Sequence, residues 1–230
     1  MEKKMPRRFA VRILAVASLL VPAAIGATAL AVDNAAAVTR EELTAALNSK
    51  DIDGILMVTN AIKRMRHKDS ILPVVQAVWR QDRRALPDVD WETASFPAVR
   101  VEMANILLQA DRNGLLDADV AGIATYLRGR MADTSGHTLG QVILTLGLLD
   151  TAEDVPAIYA VAEQQDSPTF GAAVIALSRM CDPAADAALD ALEGTVGDQG
   201  EVYFLGGVTP LGYIRDVRAS FTNTRKYCSD

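Results

Sequence analysis

Chemistry in this 230-residue chain would have to be built from few parts, because it holds only two histidines, His67 and His137, and two cysteines, Cys181 and Cys228. Two histidines leave most zinc sites without a ligand set. Asp51-Ile52-Asp53-Gly54 resembles half of a calcium loop. With Gly54 at the invariant glycine position, however, Ser49 and Asn60 fall where the first and last carboxylates belong. Asp111-Arg112-Asn113-Gly114 begins better, but Leu115 arrives where a second Asp-Gly step is needed. A helix-capping turn accounts for both stretches. Ser135-Gly136-His137, near Asp133, has the residue types of a hydrolase site without a nucleophile elbow, and an inter-helix turn explains Ser-Gly. The series Gly194, Gly197, Gly200, Gly206 and Gly207 is no phosphate loop, since no strand precedes it and no Gly-Lys-Ser/Thr follows. The expectation is therefore a non-catalytic chain with no catalytic residue, no metal ligand and no cofactor.

The elements around these residues begin with a segment that is not part of the fold. Lys3, Lys4, Arg7, Arg8 and Arg12 form a basic start, and residues 13–32 carry no charge. Small-x-small triplets follow at Ala29-Leu30-Ala31 and Ala35-Ala36-Ala37, the layout of a signal peptide cleaved after Ala31 or Ala37. The rival is a retained membrane anchor, because 20 uncharged residues just span a bilayer. Its many Ala, Gly, Ser, Thr and Pro residues would make a weak one. No cysteine lies near the cleavage sites to carry a lipid. Loss of residues 1–31 removes five basic side chains and one acidic one, leaving 18 Lys and Arg against 28 Asp and Glu, a net charge of −10. Such a chain is a poor binder of nucleic acid or anionic membrane, which demand clustered cations. An exported protein, periplasmic or extracellular, sits in an oxidising compartment, where an even pair of cysteines suggests a Cys181–Cys228 disulfide. The alternative is a buried Cys181 packing as a small apolar group and a free Cys228.

Half of the chain is hydrophobic but only 5% is aromatic, which suits closely packed helices rich in Ala, Leu and Val. A first helix is expected over Arg40 to Asn48 with Thr39 as its cap. A second is expected from Gly54 to about Arg66, capped by Asp53 and ending in the basic cluster Lys63, Arg64, Arg66, His67, Lys68. A third starts at Asp69 or Ser70 with an apolar face through Ile71, Val74, Val75, Val78 and Trp79. Leu86 to Pro97 reads as the longest loop, and Pro97 opens a helix over Ala98 to Ala110. Beyond it the helices alternate. Val120, Ile123, Ala124, Leu127 and Met131 stripe an amphipathic one, whose far side carries Arg128 and Arg130. Leu139 to Leu149 is apolar nearly all round. A striped helix around Ile158, an apolar one from Phe170 to Met180 and a striped one opened by Asp182-Pro183 complete the series.

The apolar helices align without gaps on a closing aspartate: Val101 to Asp111, Gly140 to Asp150, and Ala172 to Asp182. The separations are 39 and 32 residues, so the middle unit carries an insertion, expected around Ala132 to Gly136. An outer amphipathic helix paired with an inner apolar one is what a stack of helical hairpins needs, because each unit buries its faces on its neighbours. The expected fold is all-α, an α-solenoid of stacked hairpins over residues 38–193, clearest over 97–193. Residues 194–230 are expected to form a glycine-rich exit and a C-terminal cap that includes Leu211 to Val217.

Pro97-Ala98-Val99-Arg100 before an Ala/Leu helix, and Met180-Cys181-Asp182-Pro183 at a turn, resemble HEAT-like repeats, especially the short type of the phycobilisome-lyase-like proteins. The resemblance covers about residues 69–193. It departs where Leu139 and Gly171 stand in place of Arg100, so the usual Asp–Arg ladder is expected to be mostly missing. The family also includes chromophore lyases, which work inside cells, and iron hydroxylases that use His-Glu pairs. Here Lys68 follows His67 and Thr138 follows His137, so that iron site is not assembled. What the resemblance implies is a non-catalytic protein-binding scaffold or adaptor. Its partner would be another protein or an extracellular ligand. The alternatives are a membrane-anchored envelope assembly factor and an enzyme with an unrecognised site.

Overall fold

The computed structural model describes residues 37–65, 67–165, 169–196 and 208–222. Every regular element among them is a helix, so the all-α expectation holds. Helix α1 (Arg40–Asn48) opens on a reciprocal capping box: the Thr39 hydroxyl accepts from the Glu42 N–H, and the Glu42 carboxylate accepts from the Thr39 N–H. Helix α2 (Ile52–Arg64) is capped by Asp51, whose carboxylate accepts from the Asp53 N–H. Helix α3 (Leu72–Arg80) carries Pro73 in its first turn, where a missing N–H costs nothing. A short α4 (Trp91–Ala94), capped by Asp90, interrupts the stretch read as a loop.

The larger helices follow. Helix α5 (Pro97–Arg112) is succeeded by α6 (Val120–Asp133), α7 (Gly136–Leu146), α8 (Val155–Ala162), α9 (Phe170–Arg179), α10 (Pro183–Thr195) and α11 (Pro210–Phe221). A 3₁₀ turn at Ala152–Asp154 leads into α8.

Their packing follows chain order. In one row α2 packs on α5, α5 on α7, α7 on α9, and α9 on α11. In the second row α1, α3, α6 and α8 each pack on the helix of the first row that follows them, and α10 packs on α9 and α8. The first row runs parallel. Thr59 of α2 meets Glu102 of α5, Asn105 of α5 meets Thr145 of α7, and Gly140 and Gly147 of α7 meet Ala172 and Ala176 of α9.

Helix α5 is enclosed on all sides, and every residue from Val101 to Leu108 is buried. Each buried Leu or Ile in such a core stabilises by about 1.5–3 kcal/mol relative to exposure. At the far end, Tyr213 of α11 tilts against Phe170 of α9 with ring centroids 6.1 Å apart, and burial pushes its phenol up to about 12. Helix α11 thus covers α9 and lies within the segment expected to cap the stack.

Several boundaries differ from the sequence expectation for identifiable reasons. Asp51, not Asp53, caps α2, which places Ile55, Thr59 and Ile62 together on the buried face. Helix α3 starts at Leu72 rather than at Asp69 or Ser70. Helix α7 starts three residues before Leu139 and stops at Leu146, well short of Asp150. The extra length of the middle unit includes a second-row helix α6 of 14 residues against 8 for α8. Helix α10 runs through Gly194 to Thr195, two residues into the expected exit. The signal segment 1–31, Cys228 and the glycines Gly197, Gly200, Gly206 and Gly207 lie outside the described residues. No described helix is long and apolar enough to cross a membrane.

Candidate functional site

Because α2, α5 and α7 run parallel, their N-terminal ends gather at one edge of the stack. Ile52, Phe96, Pro97, Ala98, Thr134, Ser135 and Thr138 there line an open hollow of about 260 Å³. Two of the three helix ends lack a side-chain cap. Phe96 precedes α5 with no polar atom to offer, and Ser135 precedes α7 without a side-chain cap bond. The hollow therefore combines an apolar wall with hydroxyls and unspent amide ends. Phe96 is 39% exposed, a large apolar ring left in water at the rim.

Behind this edge α5 carries a polar seam through the core. Glu102, 2% exposed, takes an ion pair from Lys63 of α2 at 2.5 Å and a hydrogen bond from the Thr59 hydroxyl at 3.2 Å. One turn on, the Asn105 amide donates to the Thr145 hydroxyl at 3.1 Å and accepts from Gln109 at 2.6 Å. Lys68 is buried nearby and donates to the Lys63 carbonyl at 2.8 Å. Burial, and then the Lys63 charge, pulls its ammonium below the ordinary value. The basic cluster expected at the end of α2 thus includes a buried Lys68 and a part-buried Lys63 that pairs with the buried Glu102.

A third arrangement joins α3, α5 and α6. The Arg100 guanidinium lies 4.9 Å from the Trp79 ring centroid and 4.2 Å from that of Tyr126. The two rings meet edge-on, 5.2 Å apart and at 84°. Arg130 approaches the Tyr126 ring at 5.7 Å and pairs with Asp133 at 2.9 Å. Burial raises the Tyr126 phenol above its ordinary value, against the pull of Arg100 and Arg130, and it remains neutral at physiological pH.

At the opposite edge three aspartates do the work the sequence assigned to closing residues, each differently. Asp111, still within α5, accepts from the Ala118 N–H at 2.8 Å. Asp150 adopts a left-handed backbone, accepts from the Cys181 N–H at 2.6 Å and lies 3.6 Å from Arg112. Asp182 caps α10 through the Ala184 N–H.

The chain matches no family model, no curated protein and no solved structure.

The geometry sorts the residues singled out from sequence. Asp51 is a helix cap and Asp111 a turn acceptor, as the capping-turn reading has it. Asp133 pairs with Arg130, while Ser135 and His137 sit exposed at the start of α7. Arg128, expected on the side away from the apolar stripe, grips the buried Asp154 through Nε at 2.7 Å and Nη2 at 3.1 Å. Cys181 follows the C-cap residue of α9, and its expected partner Cys228 lies outside the described residues. Two features were missed, the hollow and the Arg100 sandwich. No motif marks Tyr126 in the sequence, and which cation it and Trp79 would hold depends on how three helices meet.

Proposed function

We infer that this chain is an exported scaffold of stacked helical hairpins, similar in design to HEAT-like solenoids, that holds another protein or an extracellular ligand. The observation that carries the reading is the edge where α2, α5 and α7 begin. An exposed Phe96 stands there beside a hollow where the ends of α5 and α7 lack side-chain caps. Parallel helices repeated in register offer a continuous surface, and such stacks serve mainly as binding platforms. The Cys181–Cys228 disulfide belongs to the same reading, tying the tail to the last hairpin in an oxidising compartment.

Two measurements test it. A photo-crosslinking residue placed at Phe96 in the native host should give a discrete adduct in the envelope fraction. Phe96→Glu with the crosslinker moved to Thr138 should lose that adduct. An adduct pattern unchanged by Phe96→Glu would remove the hollow from the binding surface. N-terminal sequencing of the native protein should show a chain beginning after Ala31 or Ala37. A chain still beginning at Met1 would favour the membrane-anchored envelope factor.

A further inference from the structure

We propose that Arg100 is an oxyanion-binding residue whose outward-facing Nη edge takes a carboxylate or phosphate between α3, α5 and α6. The argument starts from what is missing around the charge. Lys63, Arg128 and Arg218 each have a carboxylate within ion-pairing distance. Arg100 has none among the described residues, and none of its guanidinium nitrogens makes a hydrogen bond there. Its Nε is sealed from solvent with no partner, whereas Nη1 and Nη2 are not sealed. Burying part of a cation without a countercharge is unfavourable, so the site is poised for an anion rather than satisfied.

The surroundings supply the rest of a recognition site. The guanidinium sits in the corner between the Trp79 and Tyr126 rings, 4.9 and 4.2 Å from their centroids, so the aromatic faces hold its charge without using its Nη hydrogen bonds. Held there, the two Nη groups form a fork matched to two oxygens of one carboxylate or phosphate, with little rotamer freedom left to lose. The neutral Tyr126 phenol supplies no countercharge, and Arg130, 5.7 Å from the same ring, is already paired with Asp133. A purely structural staple between three helices would be served as well by an apolar side chain. The cation–π contacts account for the charge, and the hydrogen-bonding capacity of the Nη groups is what a ligand would use.

The sealed Nε–H gives a direct readout, because its proton exchanges slowly enough to follow by ¹⁵N–¹H correlation spectroscopy. Sodium acetate and inorganic phosphate are titrated separately against sodium chloride at matched ionic strength. The Arg100 Nε–H signal, assigned by its loss in Arg100→Lys, should move along a saturating curve with at least one oxyanion. The affinity should be at least about tenfold tighter than for chloride. Saturation with acetate assigns a carboxylate ligand, and saturation with phosphate alone assigns a phosphate one. In Arg100→Met, which keeps an apolar stem between the rings, the Trp79 indole N–H should lose its response. Shifts that follow ionic strength equally for all three salts would overturn the proposal, as would an Arg100→Met response equal to wild type. Should Arg100→Met fail to fold, the wild-type titration decides alone.

Discussion

The close approach of α7 and α9 makes the sharpest prediction, because one substitution made within α7 and at its C-terminal cap should have opposite effects. Gly147 ends α7 with φ −59°, a conformation any residue adopts, and it is buried against α9. A Cβ added there would lie 2.9 Å from both Cα and Cβ of Ala176 and 3.2 Å from its carbonyl oxygen. Ordinarily Gly→Ala at such a position stabilises by about 0.4–1 kcal/mol, through the unfolded chain. Here the obstacle is backbone, which cannot swing aside, and overpacking of that kind costs about 1–3 kcal/mol. The net expectation for Gly147→Ala is a loss of about 1–2 kcal/mol. In a domain of this size that lowers the melting temperature by about 2–8 °C. Gly140, inside the same helix, meets only the Ala172 Cβ at 3.6 Å, an ordinary contact. Gly140→Ala should therefore gain about 0.4–1 kcal/mol. Urea unfolding followed by far-ultraviolet circular dichroism measures both, with an unchanged denaturant slope showing that the comparison is sound. Adding Ala176→Gly to Gly147→Ala should recover only part of the loss, since the Ala176 Cα and carbonyl remain. A Gly147→Ala protein as stable as Gly140→Ala would refute the close approach of α7 and α9.

Three further outcomes are expected. Leu146→Asp or Leu177→Asp, at positions 1% and 0% exposed, should cost several kcal/mol by burying an unpaired charge, whereas Gln164→Asp on an exposed turn should leave the melting temperature nearly unchanged. Lys68 holds its proton less tightly folded than unfolded, so its charge penalty should ease as pH rises toward the ordinary value of 10.5. The wild-type protein should gain stability over that rise relative to Lys68→Met, and parallel pH profiles for the two would contradict the burial of the ammonium. Native protein from the oxidising compartment should resist alkylation at Cys181 and Cys228 after unfolding without reductant. Closing that 47-residue span should contribute up to about 4 kcal/mol, read as the stability lost on reduction.

Local signals in the chain carried much of the helix inventory. Thr39 with Glu42, Pro97, and Asp182 with Pro183 each name a helix start through one chemical need, an acceptor for an orphan N–H or a residue with no N–H to lose. Where two candidates competed, as with Asp51 and Asp53, only burial of Ile55, Thr59 and Ile62 chose between them. Pro73 held the answer for α3, because it fits only the first turn, yet Asp69 and Ser70 read as starts two or three residues too early. The alternation of striped and apolar helices made the pairing order of the rows readable. The hollow and the Arg100 sandwich were not readable, since each is assembled from helices dozens of residues apart and no short motif records their juxtaposition.

Asp150 has a mechanical consequence. One carboxylate fastens the turn after α7 to the turn after α9 and reaches back to Arg112 of α5, so three successive hairpins are bolted along the edge where these helices end. Among the described residues, no side-chain ion pair or hydrogen bond ties the start of α5 to the start of α7, and neither Phe96 nor Ser135 supplies a side-chain cap bond. Hairpins joined this way resist spreading on one margin and yield on the other, like pages bound at the spine. A wedge entering beside Phe96 would meet the compliant margin, and the spread would be greatest there and smallest at Asp150.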